Sequence, residues 1–179
     1  MREVEVKFRV SDREALHVAL KERGIKLGEP IYQDDQAYAP NGWQFGDNKL
    51  GVSFLRLRTV NNRHTFTLKQ PTINALSCLE HESEVADREQ MHQAIMQMGF
   101  YPTVRVAKTR QTAEFDGISL CVDDLEGVGT FLELERMVPE GVIESAVQDE
   151  LAAFVASLGT TAERTAESYD SVVRSAQAE

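Results

Sequence analysis

The sequence predicts an α+β fold: a closed antiparallel eight-stranded β-tunnel with helices packed on its outside. Segments of strict polar/apolar alternation recur along most of the chain, the period of a strand with one buried face. Between them stand turn pairs such as Asn61-Asn62 and Asp116-Gly117, which suit hairpins between neighbouring antiparallel strands. The polar faces carry charges of both signs, and three helical stretches need apolar sheet surface to cover. If the apolar faces pack outward against those helices, the charged faces line the inside of the closed sheet.

Taken in order, 3–10 reads Glu-Val-Glu-Val-Lys-Phe-Arg-Val, every charge on one face and every apolar group on the other. Ser11 followed by Glu14 fits a capping box, and Leu16, Ala19, Leu20 and the closing Gly24 outline an amphipathic helix. Residues 25–38 are extended but irregular, and 40–51, rich in Gly, Asn and Asp, read as a loop. Residues 52–60 and 64–70 form a hairpin, 71–77 a loop, and 79–85 another alternating strand. Asp87 caps a second helix that ends at Gly99. Residues 104–115, 118–125 and 131–138 complete a meander. Val147, Leu151, Phe154, Val155 and Leu158 give 142–158 a helical apolar stripe, and the polar tail 159–179 begins as loop.

With 179 residues and 42% hydrophobic content, the chain suits a single domain, 1–179, with its core in about 1–158. A net charge of −10 argues against a partner among nucleic-acid polymers, which are held by basic stripes. Cys78 and Cys121 lie in no zinc-ligand spacing and read as free thiols in a reducing cytosol. With no apolar signal core or membrane-length run, a soluble cytoplasmic protein without membrane contact is expected.

Residues two apart share a strand face. Glu3, Glu5, Lys7 and Arg9 share one; Arg56 and Arg58 another; Thr65, Thr67 and Lys69 a third; Glu80, Glu82 and Glu84 a fourth; then come Lys108 with Arg110, Asp123, and Glu133 with Glu135. One such face ordinarily points to water. A whole set facing inward costs several kcal/mol per unpaired ion, so it is expected only where the charges pair with each other, with metal or with ligand. Phosphoryl or nucleotidyl transfer from a triphosphate wants this mixture. Arginine and lysine neutralise phosphate oxygens, and carboxylates hold Mg²⁺ or Mn²⁺.

Several segments, in order, carry a family resemblance: Glu3-Val4-Glu5-Val6-Lys7, Phe54-Leu55-Arg56-Leu57-Arg58, Thr67-Leu68-Lys69-Gln70-Pro71, Glu82-Ser83-Glu84-Val85, the stretch from Val104 to Arg110, and that from Val122 to Glu135. Together they resemble the CYTH superfamily of triphosphate tunnel metalloenzymes, and within it class IV adenylyl cyclases most closely. The resemblance implies Glu3, Glu5, Glu133, Glu135 and Asp123 as metal ligands, with Glu82 and Glu84 as further acidic wall. It implies Lys7, Arg56, Arg58, Lys69, Lys108 and Arg110 as the triphosphate grip, with Lys7, Arg58, Lys69, Glu133 and Glu135 as the catalytic set. It also implies a homodimer and a Ser-Tyr element, at Tyr169, folding back over the tunnel mouth. Two positions depart from the family: Glu80 stands where an arginine is frequent, and 33–38 follows the Gln-x-Asp-x-Tyr pattern loosely. His81 lies on the opposite face from Glu80, Glu82 and Glu84, which makes it a packed or exposed histidine rather than a proton shuttle.

The expected activity is conversion of ATP to cyclic AMP and pyrophosphate with divalent metal. The alternative is a metal-dependent triphosphatase acting on inorganic triphosphate, thiamine triphosphate or a nucleoside triphosphate. A non-catalytic polyphosphate- or nucleotide-binding module needs the basic groups far more than the acidic ones, and so accounts poorly for two acidic ends.

Overall fold

The computed structural model describes residues 2–72 and 78–179, leaving out the side chains of Arg2 and Cys78. Most of the expected 71–77 loop, and the Cys78 thiol, therefore lie outside the described residues. Among the described residues nine strands and four helices follow in the order β1 (Arg2–Val10), α1 (Arg13–Glu22), β2 (Ile31–Pro40), β3 (Phe54–Val60), β4 (Arg63–Pro71), β5 (Cys78–Val85), α2 (Arg88–Gln97), β6 (Phe100–Phe115), β7 (Ile118–Leu125), β8 (Gly129–Val138), α3 (Glu144–Ser157), β9 (Ala162–Thr165) and α4 (Tyr169–Gln177). They form two compact units, Met1–Ile31 with Thr109–Ala166, and Tyr32–Lys108 with Glu167–Glu179.

In the first unit the strand order is β6-β7-β8-β1-β9. Val4, Val6, Phe8 and Val10 of β1 join Leu120 and Val122 of β7 and Leu132 and Leu134 of β8 in one apolar core. Helix α1 adds Leu16 and Leu20 to it, and α3 adds Val147, Leu151 and Val155. Each such side chain, fully buried, is worth about 1.5–3 kcal/mol against exposure, so the apolar stripe rather than helix propensity holds α3 in place. The apolar strand faces are therefore those under the helices, and the charged faces are opposite.

The second unit repeats the plan with the order β5-β4-β3-β2-β6. Tyr38, Leu55, Leu57 and Ile95 are its buried centre, with Phe66, Leu68, Val85, Met91 and Phe100 packed around them. Asn61 and Asn62 both take positive φ, 49° and 60°, so the β3–β4 hairpin turns through the pair named from sequence, in the mirror-image turn that matches strand twist.

Four details differ from the expectation. Asp12, not Ser11, caps α1, its Oδ1 accepting from Ala15 N at 2.9 Å; Ser11 Oγ instead donates to Thr161 O. Residues 31–40 are a regular strand, because Asp35 and Ala37 pair across to Arg58 and Arg56. β6 begins four residues early, at Phe100. The tail begins as loop at 160–161 and then adds two elements that were not expected, β9, paired with β1, and α4, capped by Ser168 and burying Tyr169, Val172 and Val173.

Candidate functional site

The antiparallel register of β1 on β8 sets Lys7 opposite Glu133 and Glu5 opposite Glu135. Side chains directly opposite on one face are about 4.5–5.5 Å apart at Cβ, so the first pair attracts and the second repels. Lys7 Nζ lies 3.2 Å from Glu133 and 3.5 Å from Glu5 Oε1. From β6, Arg110 reaches Asp123 with two donors at 2.7 and 2.6 Å and Glu133 at 2.7 Å. Asp123 is wholly buried. Burial works against the Arg110 charge, yet hydrogen bonds and attraction from Asp123, with Glu133, hold its pKa above the ordinary guanidinium range.

Beside this ion-paired group the carboxylates of Glu3, Glu5 and Glu135 converge, with one oxygen of each lying within 4.8 Å of the others. Burial pushes the Glu135 carboxyl up to about 7, and repulsion from Glu3, Glu133 and Glu5 adds to it. Burial and Glu133 also raise Glu5, against the opposing pull of Lys7. The buried Glu5 Oε1 has the Lys7 ammonium at 3.5 Å, longer than a well-formed hydrogen bond. Three carboxylates that repel one another, one of them buried with a long contact to its ammonium partner, fit a hard divalent cation. Of the acids implied as ligands, Glu3, Glu5 and Glu135 come together in this way, while Glu133 and Asp123 are engaged by Arg110.

The second unit carries the other charged set. Arg58 donates bidentately to Asp35, both contacts at 2.7 Å, and this outweighs burial to hold the Asp35 carboxyl below its usual range. Arg56 Nη2 donates to Thr67 Oγ1 at 3.2 Å and lies 3.6 Å from Glu82, while Thr67 Oγ1 donates to Glu82 at 3.0 Å. Arg56 Nε is buried with no acceptor, and burial followed by repulsion from Arg58 lowers its pKa. Lys69 pairs with Glu80 at 2.6 Å, exposed Glu84 with Arg63, and Lys108 Nζ stands 4.6 Å from the centre of the Tyr169 ring. His81 is exposed and in register with Leu68, off this face. Two adjacent guanidiniums, one with an unsatisfied donor, are a place where an anion gains both charge compensation and hydrogen bonds.

Sequence reasoning named Thr67 as a member of a strand face and covered Asp35 within 33–38, but gave neither a role. Asp35 shows its role only in register with Arg58, and Thr67 only between Arg56 and Glu82.

The CYTH domain model matches residues 1–169. A Methanocaldococcus jannaschii protein provisionally named an adenylate cyclase is 29% identical over 160 residues, spanning 88% of this chain and 90% of that protein. Among solved structures, a Vibrio parahaemolyticus protein with the same provisional name has a TM-score of 0.78 at 19% identity, covering 97% of this chain and 98% of its own. One from Hippeastrum, provisionally an adenylyl cyclase and described as having a dominant triphosphatase activity, has a TM-score of 0.66 at 19% identity, covering 97% and 95%. At these identities the structural likeness establishes the fold.

Proposed function

The chain belongs to the CYTH domain family, and from that premise we propose that it converts ATP to cyclic AMP and pyrophosphate with a divalent metal. The observation that carries the reading is the pairing of Glu5 with Glu135 on adjacent strands, with Glu3 completing the carboxylate group. Such a cluster is costly by itself and useful with a cation. The name of the M. jannaschii relative supports the cyclase reading.

Glu3, Glu5 and Glu135 would hold Mg²⁺ or Mn²⁺, which when bound neutralises phosphate oxygens and lowers the pKa of an attacking hydroxyl. Arg58, fixed in orientation by Asp35, and Arg56, with its unsatisfied Nε–H, bind triphosphate oxygens. Lys69 and Lys108 add charge to the same anion. In the other unit Arg110 anchors Glu133 and Asp123, and Glu133 anchors Lys7, so the ammonium is presented in one position and its grip is pre-organised. Glu82 and Glu84 belong to the acidic wall, where Glu82 keeps Thr67 and Arg56 aligned. In the reaction the ribose 3′-oxygen attacks the α-phosphorus in line, the α–β bridging bond breaks, and pyrophosphate leaves with the electron pair.

A second reading, favoured by the triphosphatase activity in the description of the Hippeastrum protein, keeps the same groups and places water at the terminal phosphorus. Cytoplasmic residence, which rests on the sequence having no apolar signal core, and a homodimer, which rests on the family resemblance, are part of the proposal. Among the described residues no helix is long and apolar enough to cross a membrane. Chromatography of the products from ATP with Mg²⁺ or Mn²⁺ at alkaline pH tests the choice. Cyclic AMP with pyrophosphate supports the cyclase; ADP with phosphate, or intact ATP beside rapid cleavage of inorganic triphosphate, overturns it in favour of the second reading.

A further inference from the structure

Asp34, Gln36 and Tyr38 share the face of β2 opposite Asp35 and Ala37, and α2 is tied to that face at two points one helical turn apart. Arg88 Nη1 donates to Asp34 O at 3.1 Å and to Thr59 Oγ1, while Tyr38 Oη and His92 Nδ1 stand 2.7 Å apart. Beside these ties a cavity of about 270 Å³ is lined by Gln36, Tyr38, Arg88, Glu89 and His92. Arg58 and its partner Asp35 belong to the other face of the strand.

The groups that line the cavity have hydrogen bonds left to make. Gln36 Nε2 donates to Ala37 O at 3.0 Å and to Val104 O at 3.2 Å, which leaves Oε1 an acceptor with no partner among the described residues. Burial raises the Tyr38 phenol, so it keeps its proton and donates to His92 Nδ1. The ring proton of His92 then sits on Nε2, a donor with no partner among the described residues. Arg88 Nη2 is 3.7 Å from Asp34 Oδ1, and that carboxylate is already taken by Arg105 at 3.0 and 3.1 Å. Glu89 is exposed, with Oε1 accepting from Gln93 at 2.8 Å.

Two donors, one charged, and two acceptors, one charged, suit a ligand that carries both signs. A plain anion meets Glu89 as well as Arg88, and a plain cation meets Arg88 as well as Glu89. At about 30 Å³ per water in the liquid, the cavity has room for about nine water-sized groups, the size of a mid-sized amino acid. We propose that this cavity binds a free amino acid, its carboxylate held by Arg88 and His92 and its ammonium by Gln36 Oε1 and Glu89. The site is independent of the triphosphate reading.

The test is calorimetric titration of each common L-amino acid into the full chain, with acetate, ethylamine and inorganic phosphate as probes that carry one sign of charge. At least one amino acid should bind one-to-one, and each single-sign probe at least tenfold more weakly. Arg88→Met should weaken the amino acid at least tenfold through loss of charge-assisted hydrogen bonds. Glu89→Gln alters only an exposed carboxylate and should weaken it about threefold; it decides the matter should Arg88→Met lose its cooperative thermal transition. No binding by any amino acid, acetate or phosphate binding as tightly, or unchanged affinity in Glu89→Gln overturns the proposal. Inorganic triphosphate, titrated alongside, should bind wild type and Glu89→Gln equally; a failure of triphosphate alone falls on the triphosphate reading and leaves this site standing.

Discussion

Replacing Glu135 by glutamine removes a charge from the most crowded carboxylate of the acidic group, and the consequence for stability depends on pH with a definite sign. The Glu135 carboxyl is raised from an ordinary 4.5 to about 7. In that window the folded chain keeps a proton that the unfolded chain has lost, so stability falls as pH rises from 4.5 to 7 and stays reduced above it. At about 1.36 kcal/mol per pKa unit the ceiling is about 3 kcal/mol. The side chain is only partly buried, and solvent screening brings the expected cost to about 1–2 kcal/mol. Glu135→Gln should therefore melt about 2–6 °C above wild type at pH 8.5 in chelator, with the gap mostly closed at pH 5. Excess Mn²⁺ at pH 8.5 should raise the wild-type midpoint more than that of the variant. Thermal or urea unfolding followed by circular dichroism reads all of this. A variant less stable than wild type by the same amount at both pH values would refute the reasoning, because the carboxylate would then be a stabilising partner rather than a repelled one.

Arg110→Met removes the bidentate partner of wholly buried Asp123 and one of the two cations on Glu133, and should cost about 3–5 kcal/mol in urea unfolding; a loss under 1 kcal/mol would mean that these ion pairs are dispensable. Arg58→Ala leaves Asp35 without its bidentate partner, and should both lower stability by about 3 kcal/mol and raise KM for the triphosphate, whereas unchanged KM would remove Arg58 from the grip. Burial pushes the Cys121 thiol up to about 12, so peptide mapping after iodoacetamide at pH 8 should find Cys121 unmodified in the folded protein and modified in urea; rapid labelling without denaturant would contradict the packing.

The elements were legible where a single strand or helix carries its own period. The alternation in 3–10 placed Glu3, Glu5 and Lys7 on one face, and the structure keeps it so because Val4, Val6, Phe8 and Val10 need α1 and α3 above them. The partition of the acids was not legible. Glu133 and Glu135 are two apart on β8 and look equivalent, yet register gives Lys7 to the first and Glu5 to the second, and Arg110 settles on the first. Register is a tertiary fact that alternation alone leaves open. Residues 25–38 read as irregular because Gln33, Asp34, Asp35 and Gln36 break the apolar pattern; the strand forms because Asp35 meets Arg58 and the chain pairs with β3. Beyond its opening loop the tail showed no element for a similar reason: β9 is four residues long, and its hydrogen bonds come from β1.

Metal binding by Glu3, Glu5 and Glu135 and triphosphate binding by the basic set are separable by experiment. Mn²⁺ titration followed by electron paramagnetic resonance, without nucleotide, on wild type and Glu135→Ala tests this directly. One protein-bound Mn²⁺ population is expected in wild type, lost or weakened at least tenfold in Glu135→Ala, with metal-free triphosphate binding retained. Equal Mn²⁺ binding by the two proteins would contradict it.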